Sequence, residues 1–263
     1  MSDERVRVDR DGAVATVWLT RGEKRNGLDV PMFEQLIAAG RALESDKSLR
    51  AVVLAGEGPA FCAGLDFQSF MSTPNAPQKL LARKGPTNVA QEVGWVWREL
   101  PVPVIAAIHG SCFGGGLQIA LGADIRLAHP EAQLSVMEIR WGLIPDMGIT
   151  QTLLPLVRPD VAKELTFTGR RVSGKEALEL GLVTRVVDDP QAEAKALADT
   201  IATKSPHAIR AAKALYDRSP GLSVAESFAL ETELQLPLLG SKNQLEAVQA
   251  NMMKRDPVFQ DVE

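Results

Sequence analysis

"VIAAIHGSCFGGGLQIALGADIR", Val104–Arg126, is the stretch whose reading decides the fold. Its first residues form a continuous apolar run, short and bounded by glycine, as a buried strand requires. Three consecutive glycines follow, Gly114, Gly115 and Gly116, and "LQIALGA" then reads as a short buried helix. A strand that runs through glycines into a helix leaves backbone amides exposed at the junction, where the positive end of the helix dipole adds to them. Such amides can cradle a phosphate or hold a reacting carbonyl oxygen, or the glycines can simply let two backbones pack closely. The spacing of Gly110, Gly114, Gly115 and Gly116 does not give G-x-G-x-x-G, and no Lys-Ser/Thr pair follows. A phosphate cradle is therefore the wrong use of this turn.

Working outward, "GAVATVWL" is a strand by its valines and period, "VPMFEQLIAAGRALESD" a helix by its apolar spacing, and "LRAVVLAGEG" a buried strand. "SFMSTPNAPQKLLARKGPTNVAQ" mixes Pro, Ser, Asn and Lys and reads as a mobile surface excursion. "AQEVGWVWRELP" resumes a helix that Pro101 and Pro103 end. "DIRLAHPEAQLSV" supplies two more strands with a turn at His129-Pro130. "PLVRPDVAKELTFTGRRVSGKEALELGLVTRVV" follows as helix, turn, helix and short strand, and beyond Asp188 almost everything is helical, broken at Ser219-Pro220-Gly221. The order is that of an α/β protein with a C-terminal helical appendage.

With 263 residues the chain is long enough to bury about 70–75 per cent of its unfolded surface without disulfides. Twenty-nine basic residues against 33 acidic leave a net charge of −4, which gives no global field for nucleic acid or an acidic membrane surface. The two cysteines, Cys62 and Cys112, lie in apolar, glycine-rich settings without metal-type spacing and read as free thiols. The start is charged and no apolar run of membrane-spanning length follows, so a cytoplasmic protein is expected. Three widely separated histidines and no acidic cluster beside them give no metal site.

Amides that stabilise charge on a carbonyl oxygen work best in pairs, so a second donor is expected elsewhere. "GPAFCAGLDF", Gly58–Phe67, supplies it, because "AVVLAGEG" also ends in a glycine-containing turn. Each turn alone is as readily explained by tight packing. Together, "AFCAGLD", "VIAAIHGSCFGGGLQIALGADIR" and "LSVMEIRWGLIPDMGITQTLLPLV" resemble the signature blocks of the crotonase, or enoyl-CoA hydratase/isomerase, superfamily, and the similarity extends to "MMKRDPVF" near the C-terminus.

The resemblance implies an α/β fold: a crotonase-like spiral of ββα units over residues 1–200, with a C-terminal α-helical trimerisation region over 201–263 that builds a homotrimer or a hexamer of paired trimers. It implies an acyl-CoA thioester substrate, with coenzyme A present only as part of that substrate and no separate cofactor. The amides of Leu65 and Gly115 would hold the thioester oxygen, and bulky side chains in the Gly114–Gly116 triplet would block its approach. "RGEKRNGLD" is similar to the family's coenzyme A segment, which points Lys24 and Arg25 at phosphates. By the same resemblance Ala63 and Leu65 lie beside the adenine and Asp66 is a further coenzyme A-binding candidate, while Lys254 and Phe259 complete the pocket, in some members from a neighbouring subunit.

Chemistry on an enolate needs proton carriers at the adjoining carbons. Hydratases of the family carry two glutamates, at the positions of Gln118 and Glu138 here. An amide cannot take a proton from water, so the two-glutamate hydration mechanism lacks one member. Asp146 stands where many hydratases have glycine, and dienoyl-CoA isomerases have acids at both Glu138 and Asp146. They also have an acid at position 118, where this chain departs from them. Simple 3-enoyl-CoA isomerases use one glutamate, at the position of Glu138. Double-bond isomerisation is therefore the expected reaction, with hydration despite Gln118, or a noncatalytic acyl-CoA-binding scaffold, as alternatives.

Burial among Trp141, Leu143, Ile144 and Met147 is expected to raise the carboxyl pKa values. Competing structural roles exist: Asp146 as an N-cap for "MGITQTLLPLV", Glu138 as a surface partner of Arg140, and Gln118 as an orienting group for water or a carboxyl. His109 reads as a hydrogen-bonded core residue. Trp95 and Trp97 point to different faces of one helix, one toward the core and the other toward an acyl tunnel.

Overall fold

The computed structural model describes residues 4–263. The chain begins with a hairpin, β1 (Val6–Asp11) and β2 (Val14–Leu19), and continues through α1 (Val30–Glu44), β3 (Ala51–Gly56), α2 (Phe67–Ser72) and α3 (Ala76–Leu81). A two-residue ribbon, β4 (Arg83–Lys84) and β5 (Thr87–Asn88), leads into α4 (Val89–Glu99), and then come β6 (Val104–Ile108), β7 (Ser111–Phe113) and α5 (Gly115–Leu121). Next are β8 (Ile125–Ala128), β9 (Gln133–Ser135), α6 (Ile149–Thr152), α7 (Pro159–Thr168), β10 (Val172–Ser173), α8 (Gly174–Glu179) and β11 (Arg185–Val186). Four helices finish the chain: α9 (Pro190–Ala202), α10 (Pro206–Arg218), α11 (Val224–Gln235) and α12 (Lys242–Met253).

Six strands form the main sheet in the order β1-β2-β3-β6-β8-β11, parallel except for the β1–β2 hairpin. Both faces are covered, which explains why β3 and β6 read as unbroken apolar runs. Val52, Leu54, Ala106 and Ile108 face α1, α4 and α5, whereas Val53, Ala55, Ile105 and Ala107 face Ala194 and Ala198 of α9.

A second, shorter layer stacks beside this sheet. Its strands are β7, β9 and β10, extended by parallel bridges Cys62–Cys112 and Leu28–Leu65. Each pass of the chain thus runs through the main sheet, kinks into the short layer and turns into helical structure, which is a repeated ββα winding. At one kink Gly110 has φ +56, and a Cβ there would lie 2.0 Å from the Pro59 carbonyl oxygen. Only glycine fits that crossing.

Local signals set the helices. Asp29 Oδ1 accepts the Met32 amide at 3.0 Å and Pro31 opens the first turn of α1, whose Met32, Phe33, Leu36 and Leu43 are buried. Asn88 and Gln91 form a reciprocal capping box at α4. Beyond α9 the helices bury little: among the described residues of α11 and α12 only Leu230, Asn243 and Ala250 are fully inside, while Val224, Phe228 and Met252 on them, and Leu236 and Leu239 between them, are exposed.

Three local expectations change. Residues 6–11 form an edge strand, because Val6 and Val8 alternate with charged residues and pair with β2 in register. The stretch read as a surface excursion carries α2, α3 and the β4–β5 ribbon, with Ala76 and Leu80 packed inside. The helix after Asp146 is a single turn whose N-cap is Gly148. Among the described residues no helix is long and apolar enough to cross a membrane.

Candidate active site

Where the two layers meet, the turn after Cys62 and the start of α5 face each other across a cavity of about 210 Å³. Ala63, Gly64 and Leu65 line one wall, Gly114, Gly115 and Gln118 another, and Glu138, Trp141, Asp146 and Met147 close it from the following loop. The parallel bridges hold the amide-bearing turns: Leu28 N donates to Gly64 O at 2.8 Å and Asp66 N to Leu28 O at 2.9 Å. The neighbouring amides of Ala63 and Gly114 are also taken, by Arg25 O and Ser135 O. Among the described residues no acceptor takes the amides of Leu65 or Gly115. Two unpaired N–H donors on the wall of an apolar cavity are suited to a polarised oxygen.

The three glycines have three separate reasons. Gly114 has φ +50 and ψ −120, and a Cβ there would meet Glu138 Oε1 at 3.2 Å. At Gly115 it would stand 2.8 Å from Leu28 Cδ1 and from Met147 Sδ, and at Gly116 2.4 Å from Cys62 O. Close packing and access to the cavity are therefore both at work, with packing the sole reason at Gly116.

Glu138 lies on a 3₁₀ turn, Glu138–Trp141, with its carboxyl turned inward. Its Oε1 accepts from Gln118 Nε2 at 2.6 Å, and its Oε2 is buried with no hydrogen-bond partner among the described residues. Burial raises the Glu138 pKa above the ordinary glutamate value, and the charge of Asp146 pushes the same way against the hydrogen bonds it accepts. Asp146 sits at the cavity rim, exposed on its outer side, and partial burial raises its pKa too. Among the described residues Glu138 makes no ion pair with Arg140, and Asp146 caps no helix. Both competing roles fall away.

Gln118 is buried on α5, and its Oε1 accepts the Met147 amide at 2.8 Å. Its side chain is thus hydrogen-bonded at both ends, to the Glu138 carboxyl and to the Met147 backbone. The apolar shield differs from expectation: Met147 is buried, but Trp141, Leu143 and Ile144 are 58, 50 and 76 per cent exposed. They form an open apolar lip, where the Trp141 ring lies against Phe67 with centroids 4.1 Å apart. Phe67, Leu28, Phe33, Phe113 and Met137 are wall residues that sequence reasoning missed. Phe67, directly after the Gly64-Leu65-Asp66 turn, carried a usable signal.

Other candidates lie off the cavity. Lys24 and Arg25 are exposed on the segment whose Arg25 carbonyl holds Ala63 N. The Asp66 carboxylate caps α2 through Ser69 N at 3.1 Å and pairs with Arg21 at 2.9 Å. Lys254 is the left-handed C-cap of α12, and Phe259 offers its carbonyl to Arg50 at 3.0 Å, so neither lines the cavity of its own chain. Trp97 is buried core and Trp95 bonds Glu99 on the surface, so neither lines this cavity. His109 is half-buried against Gly58 O at 2.9 Å. Among the described residues no group of three or more His, Cys, Asp or Glu is placed to hold a metal ion.

Comparison with known proteins gives a consistent result. A "probable enoyl-CoA hydratase" of Bacillus subtilis is 36% identical over 257 residues, 96% of either chain. The mouse mitochondrial Delta(3,5)-Delta(2,4)-dienoyl-CoA isomerase is 34% identical over 261 residues, covering 92% of this chain and 77% of the relative. The crystal structure of an enoyl-CoA hydratase from Bacillus anthracis superposes with a TM-score of 0.90 at 31% identity, over 97% of this chain and 99% of the other. The family described as enoyl-CoA hydratase/isomerase matches residues 9–262, and with the two-layered spiral and its cavity already in view, the chain belongs to that family and has the crotonase fold.

Proposed function

We propose that this protein moves a double bond in an enoyl- or dienoyl-CoA thioester. The carrying observation is the pairing of two unpaired amides, on Leu65 and Gly115, with two pKa-raised carboxyls, Glu138 and Asp146, around one cavity. In this reading the amides hold the thioester oxygen. Glu138 Oε2 takes a proton from the carbon beside the carbonyl, and the electron pair of that C–H bond moves through the conjugated system onto the oxygen, which becomes an enolate. Protonated Asp146 gives its proton to the farther carbon, the enolate collapses and the double bonds shift. Asp146, open to water at the rim, then regains its proton while Glu138 releases its own.

Lys24 and Arg25, exposed before the first bridge, are assigned to the coenzyme A phosphates, Ala63 and Leu65 to the adenine, and Asp66 to the coenzyme A side. We assign Lys254 and Phe259 to a pocket completed by a neighbouring subunit, in a homotrimer or hexamer built through the exposed apolar residues of α11 and α12. A cytoplasmic location goes with this reading, supported by the buried free thiols Cys62 and Cys112.

Hydration is the second reading, favoured by the relatives named as hydratases. Gln118 argues against it, since its amide is already bound at both ends and can take no proton from water. The test is a panel of 2-enoyl-, 3-enoyl- and 3,5-dienoyl-CoA substrates with hydration and double-bond movement followed separately. Double-bond movement is expected; rapid hydration of the 2-enoyl thioester overturns the reading. Binding of CoA thioesters with no turnover of any substrate establishes a scaffold instead.

A further inference from the structure

The Gln118 side chain ties the Glu138 turn to the segment that carries Asp146 and Met147. Its Oε1 accepts the Met147 amide at 2.8 Å, and its Nε2 donates to Glu138 Oε1 at 2.6 Å. The orientation is forced. Reversing the amide would set an oxygen against the Glu138 oxygen and an NH₂ against the Met147 N–H, two repulsive contacts in a site where Gln118 is only 1 per cent exposed.

Two consequences follow for the carboxyls. Glu138 Oε1 is occupied, while Oε2 is buried and has no hydrogen-bond partner among the described residues. Moreover, Oε1 can accept from Gln118 both as one end of a carboxylate, where the bond is the stronger, and as the carbonyl of an acid protonated at Oε2. The hydrogen bond therefore persists while the proton comes and goes. Met147 directly follows Asp146, so the same amide also holds the backbone that carries the second carboxyl.

We propose that Gln118 is a positioning residue that confines proton transfer to Oε2 of Glu138 and keeps the Asp146 segment in register with it. The proposal deepens the isomerase reading and rests on it for the identity of the reaction. A glutamate in place of Gln118 would still accept from Met147 N, yet could donate to Glu138 only when protonated. The amide is the one choice of this size that donates at every pH.

The charged surroundings make the effect readable. Asp146 is the acid facing Glu138 from the loop that follows; α5 contributes no titratable side chain, Arg140 on the same turn is exposed, and Arg171 lies over the Phe113 ring at 4.8 Å. Donation by Gln118 favours the charged form of Glu138, so its removal raises the Glu138 pKa.

The test uses the full chain with Gln118→Met, similar in size but without donors, and Gln118→Glu, which keeps the Met147 bond should the first variant fold poorly. Two measurements are made: the pH dependence of kcat and KM for dienoyl-CoA isomerisation, and the Glu138 protonation curve by infrared difference spectroscopy with Glu138→Gln as blank. For Gln118→Met, kcat is expected to fall at least tenfold, with KM changed less than about threefold. The acid limb of kcat/KM, where Glu138 must be ionised, moves to higher pH together with the infrared curve. Gln118→Glu converts that single ionisation into two coupled ones. An unchanged infrared curve and pH profile in both variants overturns the proposal, whatever happens to thermal stability. If the unaltered protein isomerises nothing while the infrared curve still moves as expected, the positioning role stands and the reading of the reaction falls.

Discussion

Gly64 and Gly115, 51 positions apart in sequence, meet so closely that a Cβ on Gly64 would lie 3.8 Å from the Gly115 amide nitrogen. That same Cβ would strike the Phe113 carbonyl oxygen at 2.7 Å, and Gly64 has φ +88. The approach brings the Leu65 and Gly115 amides to facing walls of one cavity, and it exists because the short layer of the spiral pairs residues 62–65 with both Leu28 and Cys112. The cavity is thus a by-product of how the turns stack, and under the proposed function its two amides would need no reorganisation as charge develops on an oxygen between them.

Alanine substitution separates the three glycines of the triplet. Gly116→Ala places a methyl 2.4 Å from Cys62 O and 2.7 Å from Cys62 Cβ, atoms held by the Cys62–Cys112 bridge. Overpacking of this kind costs about 1–3 kcal/mol or more, so this variant should show the largest fall in Tm. Gly115→Ala meets only the side-chain ends of Leu28 and Met147, which can shift; it should lose less stability while obstructing the cavity and lowering kcat/KM. Equal losses of Tm in the two variants would contradict this division.

Glu138→Gln should abolish most turnover and at the same time stabilise the protein above neutral pH. Loss of a proton carrier costs roughly 10²–10⁴ in rate. For stability, the native Glu138 pKa is raised, so the native state binds more protons than the unfolded chain between the two values. Stability therefore falls as pH rises from about 4.3, the unfolded value, through the native one. Glutamine keeps the acceptor for Gln118 and carries no such penalty. Its Tm should exceed that of the unaltered protein at pH 8 and converge with it near pH 4, as thermal melts across pH will check.

Asp146→Asn should leave Tm unchanged at neutral pH or raise it slightly, because Gly148 caps α6 and burial already opposes the Asp146 charge. Its activity loss should be confined to dienoyl substrates, where a proton must reach the farther carbon. A parallel loss on 3-enoyl and dienoyl thioesters, or a clear fall in Tm, would return Asp146 to a structural role.

The parts of this site that were legible in sequence are those specified locally. Gly114–Gly116 and Gly58–Phe67 stand out because strands ending in glycine turns leave amides unpaired within a few residues. The unbroken apolar runs that a sheet covered on both faces requires were equally visible, since β3 and β6 are apolar throughout. Glu138 and Asp146 were found through family resemblance, and their environment was read only in part. "WGLIP" looked like a buried cover because apolar residues signal burial without saying whether the covering surface belongs to the same chain. The double hydrogen bond of Gln118 was invisible for a different reason: its partners arrive 20 and 29 positions later and depend on the stacking of successive turns. Edge strand β1 was overlooked because charged residues dominate a segment whose valines have only one sheet neighbour.

The open lip predicts a substrate-length effect. Trp141 is 58 per cent exposed and its main ring contact is Phe67, so Trp141→Ala removes apolar surface at the cavity mouth and little from the core. Away from buried contacts such a change is usually within about 0.5 kcal/mol in stability, and Tm should stay nearly constant. A medium-length acyl chain leaving the cavity would lie against the Trp141–Phe67 pair, whereas a short chain would end before it. KM for medium-chain thioesters should then rise roughly five- to tenfold, the equivalent of about 1–1.4 kcal/mol of lost contact, with little change for short-chain ones. Because both substrates share the same thioester chemistry, kcat should be preserved for each. A uniform rise in KM across chain lengths would place the Trp141–Phe67 pair against the coenzyme A part of the substrate, and a uniform fall in kcat would show that the lip holds the Glu138 turn in place.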